Sequence, residues 1–347
     1  MFKQFGGKLT PELIKRYEQS PNWYDGCFQN LEETTMDISA SEMPGMLYKM
    51  FFGKGNVTPE KNLPVEAFDK ATFLAPDDSL KYIWYGHGVY LVRLAGKTIL
   101  IDPMLGQDSA PIAPTKTRRF SKNTLDLIQD FPEIDLLLLT HDHYDHLDYA
   151  SMKKLFPKIK NYFVALGSGR HLESWGVSAS KITEFDWWDT HTFEGIELTF
   201  TPSRHFSGRG LRDRAKSLWG GWVLKSEAVS LYHTGDGGYG AHFKEVGAKL
   251  GPFDFGFVEC GQYNERWHSI HMFPEEAVTA AQDAGINRAT PYHWGGFKLA
   301  FHPWKEPAER FIKAASAQKL NYTLPRLGQL MHLDQAAQIE NWWEAFK

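Results

Sequence analysis

The sequence predicts an α/β fold of two packed sheets with helices on the outside, and three observations predict it. Short strands with tight turns begin near Lys81, strands alternate with helices from Ile134 onward, and helices are scattered through both halves. The 347 residues allow one to three domains and a sizeable buried core. Hydrophobic residues at 42% with charged residues at 23% describe an ordinary globular chain and argue against a mainly disordered one.

Residues 1–75 show little period-2 or period-3.6 pattern and read as an N-terminal extension packing on a core unit of residues 76–347. Within it, Pro11 to Gln19 is expected to be a helix. The Met- and Phe-rich run Met43 to Phe52 is expected to pack on its own domain, with an apolar ligand or a membrane surface as the alternative. Tyr82 to Tyr85, Val89 to Leu94 and Thr98 to Ile101 form a meander with Gly96-Lys97 at one tip. Ile134 to Leu139 is short and continuously apolar, the mark of a buried strand. A helix over Ala150 to Phe156 and a strand over Tyr162 to Ala165 follow, then a helix near His171. Thr192-Phe193 and Ile196 to Thr201 flank a Glu194-Gly195 turn, and Gly221 to Lys225 pairs with Ala228 to His233. Strands at Phe253 to Val258 and Ala289 to Tyr292 bracket a helix from Pro274 to Ala284, opened by Pro-Glu-Glu. Helices are expected at Glu306 to Ala317 and Gln335 to Phe346.

Composition excludes several functions. A net charge of −4 has the wrong sign and size for nucleic acid as the main partner. Two cysteines cannot build a disulfide framework or a Cys-rich zinc module, so any metal site must use nitrogen and oxygen ligands. No run approaches the ~20 apolar residues of a spanning helix, and the first residues lack a secretory apolar core. The expected location is cytoplasmic, with peripheral membrane contact compatible with the Met43–Phe52 run. Oligomeric state is not legible.

Fourteen histidines against two cysteines is the ratio that needs explaining. The strand Ile134 to Leu139 runs directly into His141, His143, Asp145 and His146. Residues two apart in an extended loop point the same way, so His141 and His143 can grip one ion while Asp145 and His146 face a second. Further ligands are then required at later strand ends, and His205, Asp236 and His293 stand there. These seven complete two sites sharing one bridging carboxylate.

With its spacing and the later histidines and aspartate, the motif THDHYDHLD resembles the metallo-β-lactamase superfamily of dinuclear metallohydrolases. SLWGGW, GDGGY, RW followed by HMFPEEAV, and HWGGFKLA are similar to its N-acyl-phosphatidylethanolamine phospholipase D branch, over about Ile83 to Pro307. The resemblance implies an αβ/βα sandwich with the metals at one edge between the sheets. It implies His141, His143 and His205 on one zinc, Asp145, His146 and His293 on the other, and Asp236 bridging. Manganese or iron is an alternative occupant. It also implies that His271 lies near the substrate phosphate and donates it a proton or a hydrogen bond, the alternative being an ordinary loop histidine ahead of the Pro274 helix. The sequence departs from the branch where Ile270 replaces a glutamine and the loop is about two residues shorter.

The implied reaction is hydrolysis of a lipid phosphodiester, with Asp145 orienting or deprotonating the nucleophile. A lactonase acting on a sugar-phosphate lactone keeps the fold and changes the bond. A non-catalytic metal-containing lipid-binding protein is the reading from another class. Around the site, Asp102 either orients a ligand histidine or opens a turn. The basic loop Arg204 to Lys216, with Arg266 and Tyr263, either holds a phosphate or is a solvated face. His87 reads as structural, His233 as core, His242 as a residue of the site mouth, and His171, His191, His268, His302 and His332 as surface or core. Cys260 reads as buried and inert, and Gly235, Gly237 and Gly238 as points of close backbone approach.

Overall fold

The structure is a computed structural model that describes residues 3–37, 41–52, 55–76, 79–110, 117–335 and 340–346. Its centre is a pair of seven-stranded sheets. The first runs, edge to edge, Leu330–His332, Lys81–Trp84, Tyr90–Leu94, Lys97–Ile101, Ile134–Leu139, Ile159–Ala165 and Ile182–Phe185. The second runs Asn321–Tyr322, Arg288–Tyr292, Phe255–Glu259, Ser230–His233, Gly221–Lys225, Ile196–Thr201 and Thr190–Phe193. Each begins as an antiparallel meander and continues with parallel strands.

Side-chain alternation explains the layers. Tyr82, Trp84, Val92, Leu136 and Leu138 of the first sheet share a buried cluster with Leu198, Phe200, Trp222, Leu231 and Phe257 of the second. The intervening residues Ile83, Leu91, Leu137 and Leu139 face outward onto the helix Tyr149–Leu155 and its neighbours. Val223, Tyr232 and Val258 do the same beneath the helices His242–Leu250, Pro274–Asp283 and Glu306–Gln318. A strand covered on both faces must be apolar throughout, as Leu136 to Leu139 are. Each such leucine contributes roughly 1.5–3 kcal/mol through burial. This is the αβ/βα sandwich that the resemblance implied.

Local differences have physical causes. The strand expected from Ala228 starts at Ser230, because Ser226 and Val229 close a turn through reciprocal bonds of 2.9 and 3.0 Å. The helix expected over Gln335 to Phe346 is not present as such: 336–339 lie outside the described residues, and Trp342–Ala345 forms only a short 3₁₀ turn. Both Trp342 and Trp343 pack on Trp294, at ring separations of 5.7 and 5.5 Å, which places consecutive side chains on one body. Three helices had no clear signal: Met43–Phe52, Lys70–Leu74 and His242–Leu250.

The chain before residue 76 touches the sheets at specific points. Phe28 N–H donates to Ala215 O at 2.9 Å. The Asn30 side chain donates to His205 O at 2.8 Å and accepts from His205 N–H at 3.1 Å. Among the described residues no helix is long and apolar enough to cross a membrane.

Candidate metal centre

All seven expected ligands meet at one end of the sandwich, each just beyond a strand. His141, His143, Asp145 and His146 follow Ile134–Leu139, His205 follows Ile196–Thr201, Asp236 follows Ser230–His233, and His293 follows Arg288–Tyr292. Rigid strands fix where these short loops begin. The backbone at the site is held in left-handed conformations at non-glycine residues, with φ of 57° at His87, 45° at Asp102, 61° at Gln262 and 71° at His293. Such conformations persist where surrounding structure over-determines them, and they gather at functional sites. Gly235, at φ 67°, meets the expectation of close approach: a Cβ there would lie 2.1 Å from Gly220 O.

Hydrogen bonds on the far side of each ring set which nitrogen faces inward. Thr140 Oγ1 gives its proton to Asp102 Oδ2 at 2.6 Å and so accepts from His141 Nδ1–H at 3.0 Å. His146 Nδ1–H donates to Asp102 Oδ2 at 2.7 Å, and His205 Nδ1–H donates to Ile270 O at 3.0 Å. The inward Nε2 atoms of His141 and His205 therefore carry lone pairs, and that of His146 is the one left to face the cluster once its proton is displaced. Of its two readings, Asp102 takes the orienting one.

The donor spacing suits cations. His143 Nδ1 lies 2.9 Å from His141 Nε2 and 3.2 Å from His205 Nε2. In the second set, His293 Nε2 lies 3.4 Å from His146 Nε2 and 3.3 Å from Asp145 Oδ2, and His146 Nε2 lies 3.6 Å from that oxygen. A tetrahedral ion with ligand bonds of ~2.0–2.1 Å needs donor separations of about 3.3 Å. Asp236 Oδ2 sits 2.9 Å from both His146 Nε2 and His293 Nε2, while its Oδ1 is buried with no hydrogen-bond partner. Donor atoms of Asp236 and of His141 or His205 lie within 4.8 Å of one another, so this carboxylate belongs to both sets. The residues present fit two divalent ions.

Electrostatics divide the cluster. Burial, then neighbouring imidazoles, push His141 and His205 well below the usual histidine range, and burial takes His143 to about 4. Burial opposes charge on His146 too, but Asp236, Asp145 and Asp102 outweigh it and raise the ring to about 10. Asp236 and Asp145 are held well below the usual carboxylate range, where His146 prevails over burial. Two carboxylates thus draw positive charge to a point where a divalent ion displaces protons.

His143, Asp145, His205, Asp236 and His293 form the floor of a cavity of about 420 Å³. His271 lines it beside them, and its walls are Met36, Met46, Phe206, Trp267, Leu299 and Phe301. No lysine or arginine lines it among the described residues. The basic loop fits neither reading at Arg204 and Arg209, which anchor backbone carbonyls instead. Arg209 is buried and donates to Asp142 O, Leu147 O and Gln4 O, while Arg204 donates to Tyr239 O and Glu33 O. Arg266 pairs with Glu42, and Tyr263 donates to Glu306 Oε1 at 2.7 Å. His242 does not line the cavity; it is buried against Phe243.

Sequence reasoning missed four residues here. His87, read as structural, places Nε2 2.8 Å from Asp145 Oδ2 and stacks on His293 at 4.1 Å. Glu259 is fully buried beside His271 and His293. Asn30 brackets the backbone of His205, and Asp142, between two ligands, anchors a buried network. Only Asp142 carried a local signal, as part of the His141–His146 run.

The description "Beta-lactamase superfamily domain" matches residues 97–294. An uncharacterized protein of Mycobacterium tuberculosis is 34% identical over 331 residues, 94% of this chain and 88% of that one. N-acyl-phosphatidylethanolamine-hydrolyzing phospholipase D 1 of Caenorhabditis elegans is 32% identical over 274 residues, 75% of this chain and 76% of the other. Among solved structures, a metallo hydrolase from Ignicoccus hospitalis superposes with a TM-score of 0.58 at 20% identity, covering 74% of this chain and 100% of its own.

Proposed function

The chain belongs to the metallo-β-lactamase superfamily and is a metal-dependent hydrolase; from that premise we propose a dinuclear zinc phosphodiesterase of the phospholipase D type. Its substrate in this reading is N-acyl-phosphatidylethanolamine or a related lipid. The observation that carries it is the cavity: a His/Asp floor that fits metal ions beneath walls of methionine, phenylalanine, tryptophan and leucine, with no lysine or arginine among the described lining residues. A phosphorylated sugar lactone brings a second anionic group that these walls do not serve. An acyl chain gains by leaving water for them, at about 0.8 kcal/mol per buried methylene.

His141, His143 and His205 would hold one ion and Asp145, His146 and His293 the other, with Asp236 within reach of both sets. Bound there, the ions supply a water acidified to hydroxide near neutral pH and a positive field for charge on the attacked phosphate. Asp145, whose side chain keeps 14% exposure toward the cavity, orients the attacking water. His271 gives a proton to the departing alkoxide. No serine or cysteine acts as nucleophile, so no covalent intermediate forms. Residues 1–75 serve as an extension of the catalytic unit 76–347, contributing Met36 and Met46 to the substrate wall.

The test is an assay of zinc-loaded protein on vesicles of N-acyl-phosphatidylethanolamine and, separately, on a phosphorylated lactone. Release of phosphatidic acid and N-acylethanolamine is expected, with the lactone intact. Lactone opening with untouched lipid would replace this reading with the lactonase.

A further inference from the structure

We propose that Glu259 is a positioning residue that orients a metal ligand, His293, and the cavity histidine His271 through a single carboxylate oxygen. The assignment rests on the reading of the site given above. Glu259 ends the strand Phe255–Glu259, and its register partner in the neighbouring strand is Tyr292, the residue before His293. Its Oε1 lies 3.3 Å from His293 Nδ1 and 3.3 Å from His271 Nδ1, and accepts from Gly261 N–H at 3.1 Å. Its Oε2 accepts from Met272 N–H at 3.1 Å.

Two backbone N–H groups, of Gly261 and Met272, donate to this fully buried carboxylate, and both ring Nδ1 atoms are placed to donate as well, that of His293 lying also 3.4 Å from Gly261 O. The consequence is chemical. With Nδ1–H directed at Glu259 in both rings, His293 presents Nε2 to the metal set and His271 presents Nε2 to the cavity. The two rings lie nearly parallel, 5.0 Å apart at 20°, so one oxygen fixes a common orientation. Backbone packing keeps it there: a Cβ on Gly261 would lie 2.0 Å from His293 O.

Glu259→Gln tests this. However its amide turns, an N–H faces either Met272 N–H or the ring donors. Zinc affinities are measured by competition with a chromophoric chelator, and turnover on vesicles of N-acyl-phosphatidylethanolamine mixed with phosphatidylcholine. Affinity for one of two zinc ions is expected to fall about 10–100-fold, with the other unchanged. At saturating zinc, kcat is expected to stay down at the level of His271→Gln. The double variant should be no slower than either single one, while His271→Gln alone keeps both affinities. Wild-type affinities in Glu259→Gln overturn the proposal, as does full recovery of kcat at saturating zinc. Glu259→Asp retains the charge but cannot reach both rings. It should show the same split and carries the test if the amide variant does not fold. Wild-type protein that takes up fewer than two zinc ions overturns the reading of the site, a result separable from an unaffected Glu259 variant.

Discussion

Two buried clusters of histidine and aspartate lie back to back around the loop from His141 to His146, and they differ in one respect. In the cluster around Asp142 the protein meets its own demand. Oδ1 accepts from Gly208 N–H at 2.7 Å, Oδ2 accepts from Ser217 Oγ–H at 2.5 Å and His171 Nε2–H at 3.1 Å, and Arg170 lies 3.7 Å away. His171 Nδ1 in turn accepts from Gly7 N–H at 3.1 Å. In the cluster around Asp236 the lone pairs of several imidazoles converge and one carboxylate oxygen has no hydrogen-bond partner. Counting histidines and aspartates does not separate these regions. The supply of donors does: both oxygens of the Asp142 carboxylate are met by protein donors, whereas Asp236 keeps a buried oxygen without one and calls for cations.

The sharpest break between the two comes from chelation. Stripping the metals is expected to abolish hydrolysis and lower Tm, since ligand at a thousand times its Kd stabilises by about 4 kcal/mol. Calorimetry with and without zinc checks this, and stripped protein that turns over normally would refute the mechanism. Asp142→Ala should instead cost about 3–5 kcal/mol whether or not zinc is present, because it leaves buried donors and Arg170 without their partner. Urea unfolding of the metal-free protein reads that loss. His87→Ala should leave the fold intact and lower metal affinity or turnover about 10–100-fold, by releasing Asp145.

Alkali should discriminate the clusters in the metal-free protein, whereas acid loss is common to both, since His143, taken down to about 4, has the sign of His171. Burial first, and Arg170 second, take His171 down to about 3. The unfolded chain therefore binds the extra proton, and this contribution is present above pH ~6.5 and lost as pH falls toward 3. His146, raised to about 10, has the opposite sign: its contribution is full below pH ~6.5 and lost as pH rises through 10. His146→Gln should reduce the alkaline loss, to which His293 also contributes, and leave the acid one, as read by unfolding at each pH. The smallest effect is Leu211→Ser, at a fully exposed position touching neither cluster, where stability should change by less than ~0.5 kcal/mol and zinc binding not at all.

Much of this site was legible because its core is local. His141, His143, Asp145 and His146 share one loop after one apolar strand, and that proximity survives in the sequence. His205, Asp236 and His293 could be sought once strand ends were the place to look. His87, Glu259 and Asn30 gave no such lead. Each is a single polar residue whose relevance depends on which strand or segment lies beside which, and His87 acts on Asp145 across a separation of 58 positions. The final helix failed for a related reason: apolar spacing near Trp342 could not show that two adjacent tryptophans face the same neighbour.

The sequence by itself determined the layered α/β architecture and the seven histidines and aspartates that meet beyond the strand ends. Alternation, spacing and strand-end position are properties of the chain read in order. Tertiary structure alone decided the rest. It turned five basic residues away from a phosphate role, raised apolar walls over the His/Asp floor, and set Asp102, His87 and Glu259 behind the ligands. Those outcomes depend on the order of strands in the two sheets, which brings together groups scores of residues apart and selects which lone pairs face inward.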